Sequence, residues 1–171
     1  SSFSQHTGSS VLPRQKSPHA HSIDLDPSGK FIVCADLGLD MLMIYKYDSS
    51  NGKLSANDFA SAKVEPGNGP RHFAFSNDGK FGYTNNEGTS SVTAFSFDAS
   101  SGKMKELQTL STIPEEWAKK RNSTAELLMH PSGRFLYCSN RGHDSIAAYG
   151  LDPATGKMNL VEVQVLGVKT P

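Results

Sequence analysis

The stretch His21-Ser-Ile-Asp-Leu-Asp-Pro-Ser-Gly-Lys-Phe31 occurs in this chain in three versions. It returns as Arg71-His-Phe-Ala-Phe-Ser-Asn-Asp-Gly-Lys-Phe81 and again as Ala125-Glu-Leu-Leu-Met-His-Pro-Ser-Gly-Arg-Phe135. The glycine of the turn recurs at intervals of 50 and 54 residues. Repeats of this length that are rich in short strands are typical of propeller blades. The sequence therefore predicts an all-β propeller.

Each repeat shows the pattern of four antiparallel strands. Apolar residues alternate with polar ones, as at Leu42 and Ile44, and Gly, Pro, Asn and Asp separate the alternating runs. This period and punctuation are those of short strands joined by tight turns. Only Pro114 to Arg121 predicts a helical turn, because proline stands first, acidic residues follow and basic residues come last.

The repeats suggest a single partial propeller domain over residues 1–171. We assign residues 1–20 to the end of a preceding blade and its connection, and the three blades to 21–68, 69–122 and 123–171. Three blades are too few to close a ring, since propellers use roughly four to eight. We therefore expect further blades in the parent protein, and consider self-assembly of copies into a ring less favourable.

Composition limits the classes of partner. The chain has 17 basic and 17 acidic residues and no basic run, which argues against a nucleic-acid partner. It contains no apolar run of membrane length, so no membrane partner is predicted. His19 and His21 offer two metal ligands without a carboxylate third, which is too few for a site. We predict no metal and no cofactor.

The two cysteines occupy equivalent positions in the first and third repeats. Cys34 and Cys138 each follow their turn glycine by five residues, and Thr84 holds that place in the middle repeat. A disulfide requires Cα atoms closer than about 7 Å, which an intervening blade prevents. Free buried thiols suit a reducing compartment, so the expected location is the cytoplasm.

Candidate site residues appear where the repeats differ. In an antiparallel blade the start of the first strand and the end of the second share one edge, which faces the central channel. At this edge His21 and Arg71 are equivalents, as are Glu87 and Arg141, within a framework that varies little. Such an asymmetric set suits anion binding and proton transfer.

We assign the catalytic role to four residues: His21, Arg71, Glu87 and Arg141. Five neighbours at the same edge are predicted to bind substrate: His19, His72, Glu126, Asn140 and His143. Structural alternatives remain open. Glu87 and Arg141 would also serve as an inter-blade ion pair, and His72 and Glu126, which hold equivalent positions, as an inter-blade hydrogen bond.

At these residues the chain resembles a known family. The segments Ser17-Pro-His-Ala-His-Ser22, Pro66-Gly-Asn-Gly-Pro-Arg-His72 and Ser139-Asn-Arg-Gly-His-Asp-Ser-Ile146, with Asn86-Glu87, are similar to those of the seven-bladed propeller lactonases, which include bacterial 6-phosphogluconolactonases and fungal 3-carboxy-cis,cis-muconate cyclases. The resemblance spans the whole chain. It implies a channel-face active site with the family's His, two Arg and Glu at the four catalytic positions assigned above.

The resemblance implies hydrolysis of a small anionic sugar-acid lactone as the first choice. Arg71 and Arg141 would hold the carboxylate or phosphate of the substrate and polarise the ring carbonyl. Glu87 would activate water and His21 would protonate the leaving oxygen. Lactone formation by a carboxymuconate cyclase is the second candidate. A non-catalytic propeller platform that binds a peptide or protein is the third, although this edge lacks the aromatic anchors of such surfaces.

Overall fold

The computed structural model describes residues 4–169 and 171. In this part of the chain, twelve strands form three four-stranded antiparallel sheets. The first sheet contains β1 (Ala20–Leu25), β2 (Phe31–Asp36), β3 (Met41–Asp48) and β4 (Lys53–Lys63). The second contains β5 (Pro70–Phe75), β6 (Phe81–Asn86), β7 (Ser91–Asp98) and β8 (Lys103–Ser111). The third contains β9 (Ser123–Met129), β10 (Phe135–Arg141), β11 (Ser145–Leu151) and β12 (Met158–Val165).

The strands of each sheet follow chain order, as a propeller blade requires. The turn glycines Gly29, Gly79 and Gly133 have φ of 71°, 68° and 70°, the left-handed conformation that glycine adopts without steric cost. β5 contacts both β1 and β9, so the first strands of the three sheets adjoin one another. The predicted all-β architecture of four-stranded antiparallel blades is confirmed.

Two apolar clusters join the sheets. The first lies between the first and second sheets and includes Val33, Leu42 and Phe95. The second lies between the second and third sheets and includes Tyr83 and Tyr149. The middle sheet thus buries one face against each neighbour, because successive side chains of a strand point to opposite faces.

The predicted helical turn is shorter than expected. Only Glu115–Trp117 is helical, as one turn of 3₁₀ helix. Pro114 has extended backbone, with φ −63° and ψ 154°, so the helix begins after it, and no basic residue lies in its last turn. The charge pattern is present in the sequence, but three residues are too few for it to act along a helix axis.

The segment before β1 packs against the first two sheets. Gln15 is fully buried, and its side-chain amide donates to the Leu37 carbonyl at 2.9 Å and to Asp40 at 2.8 Å. The Asp40 carboxylate also accepts from the backbone amides of Gly67 at 2.7 Å and Gly69 at 2.6 Å. Residues 4–19 contain no strand, and the assignment of residues 1–20 to a preceding blade stays a prediction, like the other unit boundaries.

Both cysteines are unpaired and buried, as predicted. Burial raises the pKa of the Cys34 thiol to about 11 and that of Cys138 to about 12. No helix among the described residues is long and apolar enough to cross a membrane.

Candidate active site

Each first strand carries an irregularity at the channel edge. One extra residue lies between Ala20 and Ser22 in β1, between Pro70 and Phe73 in β5, and between Thr124 and Leu127 in β9. A β-bulge of this kind re-aims the side chains it contains, and bulges are frequent beside active sites. The bulges hold several of the predicted site residues: His21, Arg71, His72 and Glu126.

Glu87 is the centre of a cluster of guanidinium groups. Arg71 Nε donates to Glu87 Oε2 at 3.0 Å, and Arg141 Nη2 lies 3.5 Å from the same oxygen. Arg14 Nη1 donates to Glu87 Oε1. Glu87 itself is buried. Three guanidinium groups against one carboxylate leave a surplus of two positive charges, which favours an anionic ligand.

A hydrogen-bonded chain continues from this cluster into the third sheet. Arg71 Nη1 lies 2.8 Å from His72 Nε2 and donates to the Ala125 carbonyl at 2.6 Å. His72 Nδ1 lies 2.6 Å from Glu126 Oε1. Hydrogen bonds from His72 and from the Leu127 amide outweigh partial burial and lower the pKa of Glu126. His72 and Glu126 therefore form the hydrogen bond between neighbouring blades that was their structural alternative in the sequence analysis.

His21, on the first sheet, lies beside these hydrogen-bonded residues. The His21 and His72 rings are 5.2 Å apart and tilted by 48°. Partial burial, together with the positive charge of Arg71, lowers the pKa of His21 from 6.5, against an opposing contribution from Glu87. The imidazole is therefore neutral at pH 7. A neutral imidazole at the edge of a cationic cluster can accept a proton from water.

The structure thus brings the four predicted catalytic residues together, since Arg71, Glu87 and Arg141 form one ion cluster and His21 lies next to its inner end. Their chemical roles are addressed below as a proposal. His72 and Glu126 adjoin the cluster. His19 is exposed, and its backbone amide donates to Asp36 at 2.8 Å, which is a structural contact at the start of the sheet.

Two predicted substrate ligands lie outside the cluster. Asn140 is fully buried and bonds through both side-chain atoms to Thr112, Asn122 and Ser145. It precedes Arg141 on β10, and because neighbouring strand residues face opposite ways, both side chains cannot enter the cleft. His143 packs its ring against Trp117, with centroids 4.7 Å apart, and contacts the Ser145 hydroxyl. The structure places both residues in the framework of the third blade.

Arg14 is a site residue that sequence reasoning missed. It comes from the irregular segment before β1, where comparison between the repeats offers no aligned copy. The flanking Leu12 amide donates to Gln15, whose side chain is anchored to Asp40. Tertiary packing therefore brings Arg14 to the site, and no spacing or motif in the sequence marks it.

A polar cleft of about 700 Å³ opens over the Glu87 cluster. Its walls include Arg14, Arg121 and Arg141. Gly142 forms part of the rim, with φ of 123°, and a Cβ there would overlap the Arg121 carbonyl. The connection between β8 and β9 therefore lies directly against the end of β10. No group of three or more potential metal ligands is present in residues 4–169.

The comparisons with known proteins agree with the propeller fold. A family model described as lactonase, 7-bladed β-propeller, matches residues 1–171. A probable 6-phosphogluconolactonase of Arthroderma benhamiae is 39% identical over 170 residues, which cover 93% of this chain and 42% of the relative. The 6-phosphogluconolactonase of Bacillus subtilis is 35% identical over 157 residues, which cover 92% of this chain and 44% of the relative.

A solved structure is also similar. The periplasmic gluconolactonase of Pseudomonas aeruginosa superposes with a TM-score of 0.90 at 34% identity, covering 98% of this chain and 47% of that one. That protein is described as periplasmic, so the cytoplasmic location predicted for this chain is not confirmed. None of these three proteins is named a muconate cyclase. The chain spans less than half the length of these relatives. It belongs to the seven-bladed β-propeller lactonase family.

Proposed function

We propose that the protein hydrolyses a small lactone that bears an anionic group, with 6-phosphogluconolactone as the first candidate substrate. The observation that carries this proposal is the set of three guanidinium groups around Glu87, with the neutral His21 close by. Lactonase names among the relatives support the reaction class.

The positive surplus supplies two parts of the chemistry. It attracts an anionic substrate, and it stabilises the negative charge that develops on the carbonyl oxygen when water attacks. Arg71 is suited to the second task because its guanidinium is held in place by Glu87, the Ala125 carbonyl and His72. A group that is already oriented need not reorganise as charge develops.

His21 is the group we assign to proton transfer. Neutral His21 takes a proton from the attacking water as the water oxygen bonds to the carbonyl carbon. The tetrahedral intermediate then collapses, the ring C–O bond breaks, and the imidazolium returns the proton to the leaving oxygen. The product is an open-chain hydroxy acid. Atoms and charge balance without any other reactant.

Glu87 is assigned to positioning in this scheme, a change from the water-activating role expected from the family resemblance. Its two oxygens accept from Arg14 and Arg71 and adjoin Arg141. A carboxylate has about four lone-pair positions, so most of its accepting capacity is already engaged. It serves best as the anchor that holds the guanidinium groups towards the cleft.

The test is hydrolysis of 6-phosphogluconolactone by the longest form of the protein that contains this chain, followed by acid release at constant pH. We expect hydrolysis well above the spontaneous rate, and a kcat about a hundredfold lower in His21→Gln, the range typical of lost general-base catalysis. Arg134→Gln is the control, because Arg134 lies exposed at a turn outside the cleft. Wild-type activity at the spontaneous rate would refute the proposal.

A further inference from the structure

Two arginines of the cleft come from segments outside the strands. Arg14 belongs to the segment before β1, and Arg121 belongs to the connection between β8 and β9. Arg71 and Arg141, in contrast, lie on strands β5 and β10. The cleft and the Glu87 cluster beside it therefore contain two sets of guanidinium groups, one on strands and one on segments outside the strands.

The two sets also differ in accessibility. The side chain of Arg71 is 16% exposed and that of Arg141 is 32% exposed, whereas Arg14 is 58% exposed. Arg121 is exposed as well, and no ion pair links its side chain to another residue of the described part of the chain. Arg14 and Arg121 are thus the outer cations of the cleft.

Glu87 separates the inner and outer groups. Its Oε2 faces Arg71 and Arg141, while its Oε1 faces Arg14. One carboxylate cannot neutralise all of these charges, and no other acidic residue lines the cleft among the described residues. The outer end therefore keeps an uncompensated positive charge, which costs free energy unless an anion is bound.

Neutral donors are also available at the outer end. Ser123 lines the cleft beside Arg121, and a hydroxyl donates well to a phosphate oxygen. Asn122 is not available in the same way, because its amide already bonds to Ser90, Asn140 and the His143 backbone. Two guanidinium groups and a hydroxyl that line one cleft match the oxygens of a phosphate monoester.

We propose that Arg14 and Arg121, with Ser123, form an outer subsite that binds the phosphate group of the substrate. The inner residues then receive the lactone carbonyl. The cleft, at about 700 Å³, has a volume within the range that holds small ligands of this size. This proposal rests on the proposed lactonase function. It gives a physical reason for the protein to prefer phosphorylated over unphosphorylated sugar lactones.

The kinetic test compares 6-phosphogluconolactone with glucono-δ-lactone in the wild type, Arg14→Gln, Arg121→Gln and the double variant. The measured quantity is the ratio of kcat/KM for the phosphorylated substrate to that for the unphosphorylated one. We expect this ratio to fall about a hundredfold in the double variant, because two charge-assisted contacts to phosphate are lost. Arg134→Gln should leave the ratio unchanged.

Two results would overturn the subsite. An unchanged ratio in the double variant would show that neither arginine recognises phosphate. An equal loss of activity on both substrates would show that Arg14 acts only through Glu87. If Arg14→Gln disturbs the fold, Arg121→Gln alone still tests the subsite, because no ion pair joins Arg121 to Glu87.

A binding measurement separates this proposal from the proposed function. Calorimetric titration with 6-phosphogluconate and with gluconate needs no catalysis. We expect wild-type protein to bind 6-phosphogluconate at least tenfold more tightly than gluconate, and the double variant to lose that difference. Equal affinities in the wild type would refute the subsite even if lactones are hydrolysed. A normal preference without hydrolysis would instead refute the lactonase assignment alone.

Discussion

Arg71 Nη1 lies 2.8 Å from His72 Nε2, and this contact determines which imidazole nitrogen is the acceptor. A guanidinium nitrogen can only donate, so His72 Nε2 must be the acceptor and the proton must be on Nδ1. Nδ1 then donates to Glu126 at 2.6 Å. His72 is therefore a positioning residue that holds Arg71 through a neutral imidazole.

This relationship predicts different results for two substitutions. His72→Gln offers an amide oxygen to Arg71, whereas His72→Leu offers no acceptor and leaves one guanidinium N–H without its partner. We expect KM to rise about tenfold in His72→Leu, the cost of one lost hydrogen bond to a charged group, and to recover substantially in His72→Gln. Steady-state kinetics provides the measurement. A merely structural His72 would show equal KM values in the two variants.

The pH profile of activity should report His21. Burial and the charge of Arg71 lower its pKa from 6.5, and the assigned base must be neutral. Activity is therefore retained above this pKa and lost as pH falls through it, so the acid limb of kcat/KM should have its midpoint below 6.5. His21→Gln should abolish that limb, and Asp24→Asn should leave it in place. A midpoint above 6.5 would contradict the assignment.

Asp24 should limit stability near neutral pH. Burial raises its pKa from 3.8 to about 6, against a hydrogen bond from Ser22 that lowers it. The folded state therefore holds the proton more tightly than the unfolded state, and this stabilisation is lost as pH rises through about 6.

Asp24→Asn should accordingly raise the free energy of unfolding at pH 7.5 by about 1 kcal/mol, a value reduced for the partial exposure of the carboxylate. The gain should shrink as the pH falls towards 5, as measured by urea denaturation. Asp58→Asn is the control, because its carboxylate is 85% exposed. A gain that is independent of pH would contradict the raised pKa.

Asn140 should matter for stability rather than for substrate binding. Its side-chain oxygen accepts from Thr112 and Asn122, and its nitrogen donates to the Thr112 carbonyl and to Ser145. Asn140→Ala should reduce the free energy of unfolding by about 2 to 3 kcal/mol, since buried partners lose their hydrogen bonds. Asn159→Ala, exposed on β12, is the matched control. Normal stability with weakened substrate binding would instead identify Asn140 as a substrate ligand.

The two thiols should be protected in the folded protein. Burial raises the pKa of Cys34 to about 11 and that of Cys138 to about 12, so neither is a thiolate at pH 8. A thiol reagent should modify neither residue in native protein and both after unfolding in denaturant without reductant. Rapid reaction of Cys138 in the native state would show that the second and third sheets separate readily.

The repeat made the fold predictable because each copy contains its own turn and strand signals. Gly29, Gly79 and Gly133 mark equivalent hairpins, and their alignment places Glu87 and Arg141 at equivalent strand ends. The approach of these residues to Arg71 follows from the antiparallel order of the strands. The comparison of repeats therefore located the ion cluster from sequence positions alone.

The same reasoning does not extend to features that depend on the direction of a side chain. Asn140 shares the channel edge with Arg141, but the alternation along β10 turns it towards Thr112. Bulges in the first strands change that alternation, and of the three only the bulge in β5 directly follows a proline, Pro70. Arg14 depends on an irregular segment anchored by Gln15, so its approach to Glu87 follows from tertiary packing.

The location of these arginines, on strands or outside them, bears on how substrate preference can evolve. Arg14 and Arg121 lie on segments outside the strands, while Arg71 lies on β5 and Glu87 directly follows β6. In the proposed outer subsite, exchanging either segment would alter the group recognised without altering the packing between the sheets. New substrate preferences can therefore arise in this architecture by loop replacement, with the reacting groups inherited intact.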